Sequence, residues 1–208
     1  MVHFRETTIE KELDRMATKQ ETDQRILTAF SELVLKYGYH GTTTRKIAER
    51  AGVNESTVFR HFKDKHHLLD RLIDLYIDDI DHLNETFQID GDIETDLQRV
   101  AELYATFIQR HQAVSLLGVK EGNQFPEIRQ AVKKLPLQFA VSLTNTFNQM
   151  VESGEISAQV NVPQEVSNFI LINFGNAVFN DVYSYGELGI PLDRFMQENI
   201  KTFAQHLK

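Results

Sequence analysis

The chain has 208 residues, 41% of them apolar and 25% charged, which suits one large or two small globular domains and excludes intrinsic disorder. It contains no cysteine, so disulfide frameworks, thiolate zinc sites and cysteine nucleophiles are ruled out. Its formal net charge of −8 opposes non-specific attraction to phosphate, and no run of about 18 apolar residues exists to cross a membrane as a helix.

The opening residues, Met1 to Glu6, lack the basic start and apolar core of a secretory signal, and a soluble cytoplasmic protein is expected. Residues 1–21 read as an N-terminal extension. Ile9, Leu13 and Met16 make the stripe of a marginal helix, and Arg15 and Lys19 can reach a minor groove; a frayed, solvated terminus fits the same residues. A helix is expected to start near Thr22-Asp23, carry Ile26, Phe30, Leu33 and Tyr37 on one stripe, and stop at Gly38. Short helices follow over 44–51, closed by Gly52, and over 55–62, with Asn54 placed to cap the latter. Asp64 is placed to cap a long helix that carries Leu69, Leu72, Ile73, Tyr76, Ile80, Leu83 and Phe87 as far as Gly91. Further helices are expected over 93–110, 113–120, 126–153, 163–186 and 191–206. Pro126, Pro163 and Pro191 sit in first turns, Gly154 closes one helix, and Pro136 should kink or split 126–153. No stretch alternates with period two, so the fold class is all-α. The domain reading is 1–21 extension, 22–66 helix-turn-helix, and 67–208 a larger helical regulatory and dimerisation domain.

Charge is unevenly spread along these elements. Residues 1–65 hold 12 Lys+Arg and 10 Asp+Glu, a net of +2, whereas residues 66–208 hold 10 and 20, a net of −10. Between Lys36 and Lys65 the balance is 7 against 3. Within that basic stretch Ala48 provides a small contact and Gly52 a left-handed turn between two short helices. Ile47, Ala51, Val53, Val58 and Phe62 give the pair its apolar faces, and the second helix then presents Ser56, Thr57, Phe59, Arg60 and His61 outward. A helix of that kind fits the major groove of B-DNA.

The segment from Thr22 to Leu72 resembles the DNA-binding region of TetR-family transcriptional regulators. The residues that carry the likeness are Arg25-Ile26-Leu27, Lys36-Tyr37-Gly38-Tyr39, Thr43-Thr44-Arg45-Lys46-Ile47-Ala48, Ala51-Gly52-Val53, Ser56-Thr57-Val58-Phe59, His61-Phe62-Lys63-Asp64-Lys65 and Leu68-Leu69. The resemblance implies a homodimeric one-component repressor that binds double-stranded operator DNA and is released by a small molecule. It implies phosphate contacts from Thr43 or Thr44, His61 and Lys65, and a base or phosphate contact from Arg45 at the groove edge. It also implies close approach at Ser56 and Thr57, apolar contact from Phe59 where tyrosine is more usual, and bidentate guanine reading by Arg60. Glu55 departs from the pattern; it either steadies the helix N-terminus or reads cytosine, and the first is favoured.

In the second half, phenylalanines at helical spacing are mostly core, and a subset can line a pocket between helices. The candidates are Tyr104, Phe107, His111, Phe139, Leu143, Phe147, Phe174 and Phe179, with His111 and Tyr104 as polar handles for an apolar or amphipathic effector. Helix 163–186, apolar on more than one face through residues such as Val166, Phe169, Ile170, Phe174, Val178, Phe179, Val182 and Tyr183, needs two surfaces to bury against. Together with 191–206 it is expected to form a two-fold dimer interface. The helix starting near Lys65 continues from the DNA-binding segment into the regulatory half and is the expected route of coupling.

Other chemistries find little footing. His66, His67, Asp70 and Asp74, and the cluster Asp78, Asp79, Asp81, His82 and Glu85, raise a metal-sensing alternative without a recognised ligand spacing, and no metal or cofactor is expected. Neither Gly38–Gly41 nor Gly186–Gly189 makes a phosphate-binding loop, no serine sits in a nucleophile elbow, and an enzyme is not expected. A helical interaction module without DNA binding is the remaining alternative, opposed by Arg45, Thr57, Arg60 and Lys65.

Overall fold

A computed structural model describes residues 3–182 and 190–208; the side chains of 3–15, 84–86 and 181–182 lie outside that description. The described residues form helices and no strand, as the absence of period-two alternation requires. They divide into two compact units, Met1–Leu72 and Ile73–Lys208. The boundary falls inside a helix, six residues later than the 66/67 boundary read from the sequence, because Leu68, Leu69 and Leu72 are buried with the first unit.

In the first unit, α1 spans His3–Gly41, α2 Thr44–Ala51 and α3 Glu55–Phe62. α1 starts well before Thr22: residues 3–21 contain no Gly or Pro and many Glu, Lys, Gln, Leu and Met, so nothing in them stops a helix. The Ile9, Leu13 and Arg15 side chains belong to the undescribed set, whereas Met16 and Lys19 are exposed. Ile26 and Phe30 are fully buried as expected, but Tyr37 is exposed. Gly38 (φ 72°) breaks the helical path, a conformation costly to a residue with a Cβ, and turns the chain so that Tyr39 packs edge-on against Phe30 at 6.3 Å. Tyr39, with Val34, completes the core face that Leu33 and Tyr37 were expected to fill.

α4 (Lys65–Thr86) runs through the boundary as one helix, and α5 (Ile93–Arg110) is the centre of the second unit. Between them the fully buried Asp96 carboxylate accepts from the Asp90 and Gly91 backbone N–H groups and from Arg99, which fixes the loop after α4. α6 (Gln112–Ser115) and α7 (Leu117–Glu121) replace the single helix expected over 113–120. α8 (Pro126–Val132) and α9 (Lys134–Ser153) replace the one expected over 126–153. The second break falls where Pro136 dictates, since its ring clashes with the carbonyl four residues earlier, that of Val132. α10 (Val162–Val182) follows; the expected continuation to 186, with Tyr183, lies outside the described residues, as do Gly186–Gly189. The last helix, α11 (192–206), widens into π-helical turns over Phe195–Ile200, where the Gln98 side-chain amide donates to the Met196 carbonyl.

The second core is built from Leu97, Ala101, Phe147, Met150, Phe169, Ile200, Ala204 and Leu207. α11 therefore turns Phe195, Ile200 and Ala204 inward, and apart from the exposed Leu192 its outer face is mostly polar. α10 buries Val166 and Phe169 but leaves Leu171 67% exposed, and neighbouring α9 leaves Leu137 59% exposed.

Candidate nucleic-acid interface and effector cavity

The turn between α2 and α3 is built as its sequence demands. Gly52 takes the left-handed conformation (φ 66°, ψ 38°), and the Gly52 and Val53 N–H groups close the end of α2 on the Glu49 and Ala48 carbonyls. Thr43 caps α2, its hydroxyl oxygen accepting from the Lys46 N–H at 3.3 Å. Asn54 precedes α3 without a side-chain cap; only its backbone carbonyl accepts, from Thr57 and Val58. The side chain that orders this end is Glu55, whose carboxylate accepts from the Thr44 hydroxyl at 2.6 Å and ties α3 to the start of α2. Thr44 thereby donates to Glu55, whereas among the described residues the Thr43 hydroxyl only accepts.

α3 buries Val58 and Phe62 and presents Ser56, Phe59 and Arg60 to solvent, with Thr57 half-buried. Phe59 is 48% exposed, an unusual position for a phenylalanine on a unit with a closed core. Arg60 makes no ion pair among the described residues, and Arg45 is held loosely by Glu49 on the same exposed face of α2. His61 does not face outward. Its side chain is 8% exposed and its Nδ1 lies 2.5 Å from Asp23 Oδ1 on α1. At 100° per residue, His61 follows Phe62 toward the core rather than Arg60 toward solvent. Lys65 donates to the Tyr39 carbonyl at 2.7 Å with its ammonium 4.1 Å from the centre of the Tyr39 ring. Lys46, which was not among the candidates, donates to the Gly41 carbonyl and stands over the exposed Tyr37 ring at 4.7 Å, with Lys36 at 5.0 Å. A tyrosine flanked by lysines in the one basic stretch was the available signal for that patch.

α3 ends in strain. Lys63 has φ 61° and ψ −58°, and the Asp64 N–H reaches back to the Phe62 carbonyl, forming a γ-turn with positive φ. Asp64 then caps α4 as expected, accepting from the His66 and His67 N–H groups and from His67 Nδ1; the His67 hydrogen bonds hold its carboxyl below the usual carboxylate range. His66 pairs with Asp70 in the next turn, so this histidine-acidic cluster serves the start of the helix.

The second unit holds an open-mouthed cavity of about 340 Å³ lined from α5 through α10, within the ~300–1,000 Å³ usual for small-molecule sites. Tyr104, Phe107, Phe139 and Phe174 line it, four of the eight residues chosen from sequence. Leu143 lines a separate void of about 30 Å³ shared with Tyr104 and Phe139. Phe147 is wholly inside the core against Phe169, and Phe179 is exposed. His111 is also outside the cavity. It is stacked on Tyr76 with centroids 3.7 Å apart and lies 3.0 Å from Asp79, out of line for a good hydrogen bond; burial, only partly opposed by Asp79, holds its pKa below that of a free histidine. Burial pushes the Tyr104 phenol up, so it stays protonated and can donate. Sequence reasoning missed Ser115, Arg129 and Lys133 in the lining.

The first unit's geometry agrees with a family model for the DNA-binding region of bacterial regulatory proteins of the tetR family, which matches residues 26–72. The chain is 26% identical over 184 residues to the HTH-type transcriptional regulator YvkB of Bacillus subtilis (strain 168), covering 88% of this chain and 96% of that one. Residues 26–72 are a TetR-family DNA-binding region. Its helix-turn-helix is 41% identical over 61 residues to the class C tetracycline repressor of Escherichia coli, a match spanning 29% of this chain and 27% of that one. The fold as a whole matches FadR of Bacillus subtilis, solved in complex with stearoyl-CoA, with a TM-score of 0.70 at 17% identity over 89% of this chain and 99% of that one. With that region it is a DNA-binding transcriptional regulator, and its relatives are regulators rather than enzymes. Among the described residues, no helix is long and apolar enough to cross a membrane and no three His, Asp or Glu gather as a metal site.

Proposed function

We propose that the protein is a cytoplasmic, ligand-responsive repressor that binds a pseudo-palindromic operator as a homodimer and is released by an apolar or amphipathic effector. The observation that carries it is the exposed face of α3, with Ser56, Phe59 and Arg60 free of the core, in a chain whose other unit holds an apolar cavity. Arg60 reads guanine bidentately, Phe59 contacts a thymine methyl, and Ser56 and Thr57 permit close approach. Thr43, the first N–H groups of α2, Arg45 and Lys65 position the phosphate backbone. Lys65 stands at the start of α4, where it donates to the Tyr39 carbonyl. His61 is withdrawn from the set of phosphate contacts.

The dimer forms on α10, through exposed Leu171 and Phe179, with Leu137 and Val141 of α9, and the outer face of α11, polar apart from Leu192, adds a rim. An effector in the cavity favours one setting of α4, which runs unbroken from Lys65 to Thr86. Differential affinity of 1–3 kcal/mol changes operator binding about 5- to 150-fold, and operator must weaken effector by the same factor. FadR, the neighbour solved with stearoyl-CoA, supports an effector with a long apolar part.

Selection of bound duplexes from a random pool tests this directly. The expected product is an inverted repeat with half-site centres one helical turn, ~34–36 Å, or a simple multiple apart. Recovery of no sequence above background, or a single asymmetric site bound by a monomer in sedimentation, refutes it.

A further inference from the structure

We infer that the cavity of the second unit takes an acidic amphiphile, its acyl chain inside, its anionic head on Arg129 and Lys133, and one of its oxygens hydrogen-bonded to the Ser115 hydroxyl. The inference rests on the cavity being the effector site. Its first support is charge. Of the 10 Lys+Arg in residues 66–208, four (Lys120, Arg129, Lys133 and Lys134) fall within 117–134, where only Glu121 and Glu127 oppose them, a net of +2. The rest of 66–208 holds 6 against 18, a net of −12. The excess of positive charge over 117–134 falls on helices that frame the cavity, α7, α8 and the start of α9.

The second support is placement. Arg129 and Lys133 both line the cavity and are both exposed, so their charged ends stand at its rim. They are four residues apart, the spacing at which like charges on helical turns repel, and among the described residues neither side chain has an ion-pair partner. Two unneutralised cations kept side by side in an acidic unit form a site for an anion. The third support is inside. Ser115 lines the cavity and is buried, and among the described residues its hydroxyl has no hydrogen-bond partner, a donor that a ligand carbonyl or carboxylate oxygen would satisfy. Around these groups the lining is aliphatic and aromatic, from Ile108, Val132, Leu135, Ile170 and Phe174. At ~30 Å³ for each water-sized group, 340 Å³ holds about eleven, the size of a medium acyl chain.

Calorimetric titration of the full chain with decanoate, 1-decanol and decanoyl-CoA tests the inference. Decanoate or its CoA thioester is expected to bind at least about ten-fold tighter than the alcohol, and whichever of the two is tighter identifies the head, carboxylate or phosphate-bearing. The double variant Arg129→Gln/Lys133→Gln should bind the alcohol unchanged and lose that preference. Ser115→Ala should weaken the anion about five-fold while raising the melting temperature of the free protein, because an unpartnered buried hydroxyl is removed. Equal affinity for acid and alcohol, a preference that survives the double variant, or no binding of any of the three overturns it. Operator release is scored separately: anion-selective binding that leaves operator affinity unchanged keeps the site and removes its regulatory role.

Discussion

Replacing His61 separates a residue that holds the DNA-binding unit together from one that touches DNA. Its ring nitrogen lies 2.5 Å from Asp23 Oδ1 with the side chain 8% exposed, and Asp23 itself is about one-third exposed. His61→Ala removes a hydrogen bond to a charged group, ~1.5–3 kcal/mol where buried, and leaves a half-shielded carboxylate that water can partly rehydrate, so the lower half of that range is expected. At ~2–4 °C per kcal/mol for a chain of this size, the melting temperature should fall by about 3–8 °C. Operator affinity, measured by anisotropy below the transition at several salt concentrations, should keep its dependence on log[salt]. A lost phosphate contact would instead flatten the slope by about 0.9 per half-site. Asp23→Ala should reproduce the thermal loss, and the double variant should be less destabilised than the sum of the singles, because each single already breaks the pair. A flattened slope with an unchanged melting temperature would refute the placement of His61.

Three more outcomes follow from other residues. Arg60→Ala should cost about 1–3 kcal/mol of operator binding and relax preference at one base pair per half-site, scored by binding to single-base variants of the selected operator; a uniform loss across all variants would make Arg60 a phosphate contact. Lys63→Gly should raise stability by about 1 kcal/mol in urea melts, because glycine accepts the φ of 61° without the Cβ penalty; destabilisation would show that the lysine side chain outweighs the strain. His111 is held neutral by burial, with its pKa below the free value of about 6.5. The unfolded chain therefore binds the proton first, and stability should be full above about 6.5 and fall as pH drops from there toward the folded pKa. His111→Phe should lessen that slope between pH 7 and 5.5, and an unchanged slope would assign the pH dependence elsewhere.

What the sequence determined alone was local. Helix type and most boundaries follow from 3.6-residue spacing, from the left-handed glycines at 38, 52 and 154, and from Asp64 as a cap, all of which act within a few residues. Pro136 announced a break whose position, at Val132, is fixed by backbone sterics alone. The Ala48–Gly52 turn and the outward Arg60 were legible for the same reason. The tertiary structure decided what depends on partners distant in the chain. His61 and Tyr37 share with their neighbours a helical spacing that fits either inside or outside. Asp23, 38 residues away, draws His61 in, and the turn at Gly38 puts Tyr39 on Phe30 and leaves Tyr37 in water. Phenylalanine spacing likewise cannot distinguish a cavity wall from a packed core: Phe139 and Phe147 lie eight residues apart on one face of α9, yet Phe139 borders the cavity and Phe147 is sealed against Phe169. A void forms where the helices that meet leave space between them, and that is set by long-range packing rather than by the period of any one helix.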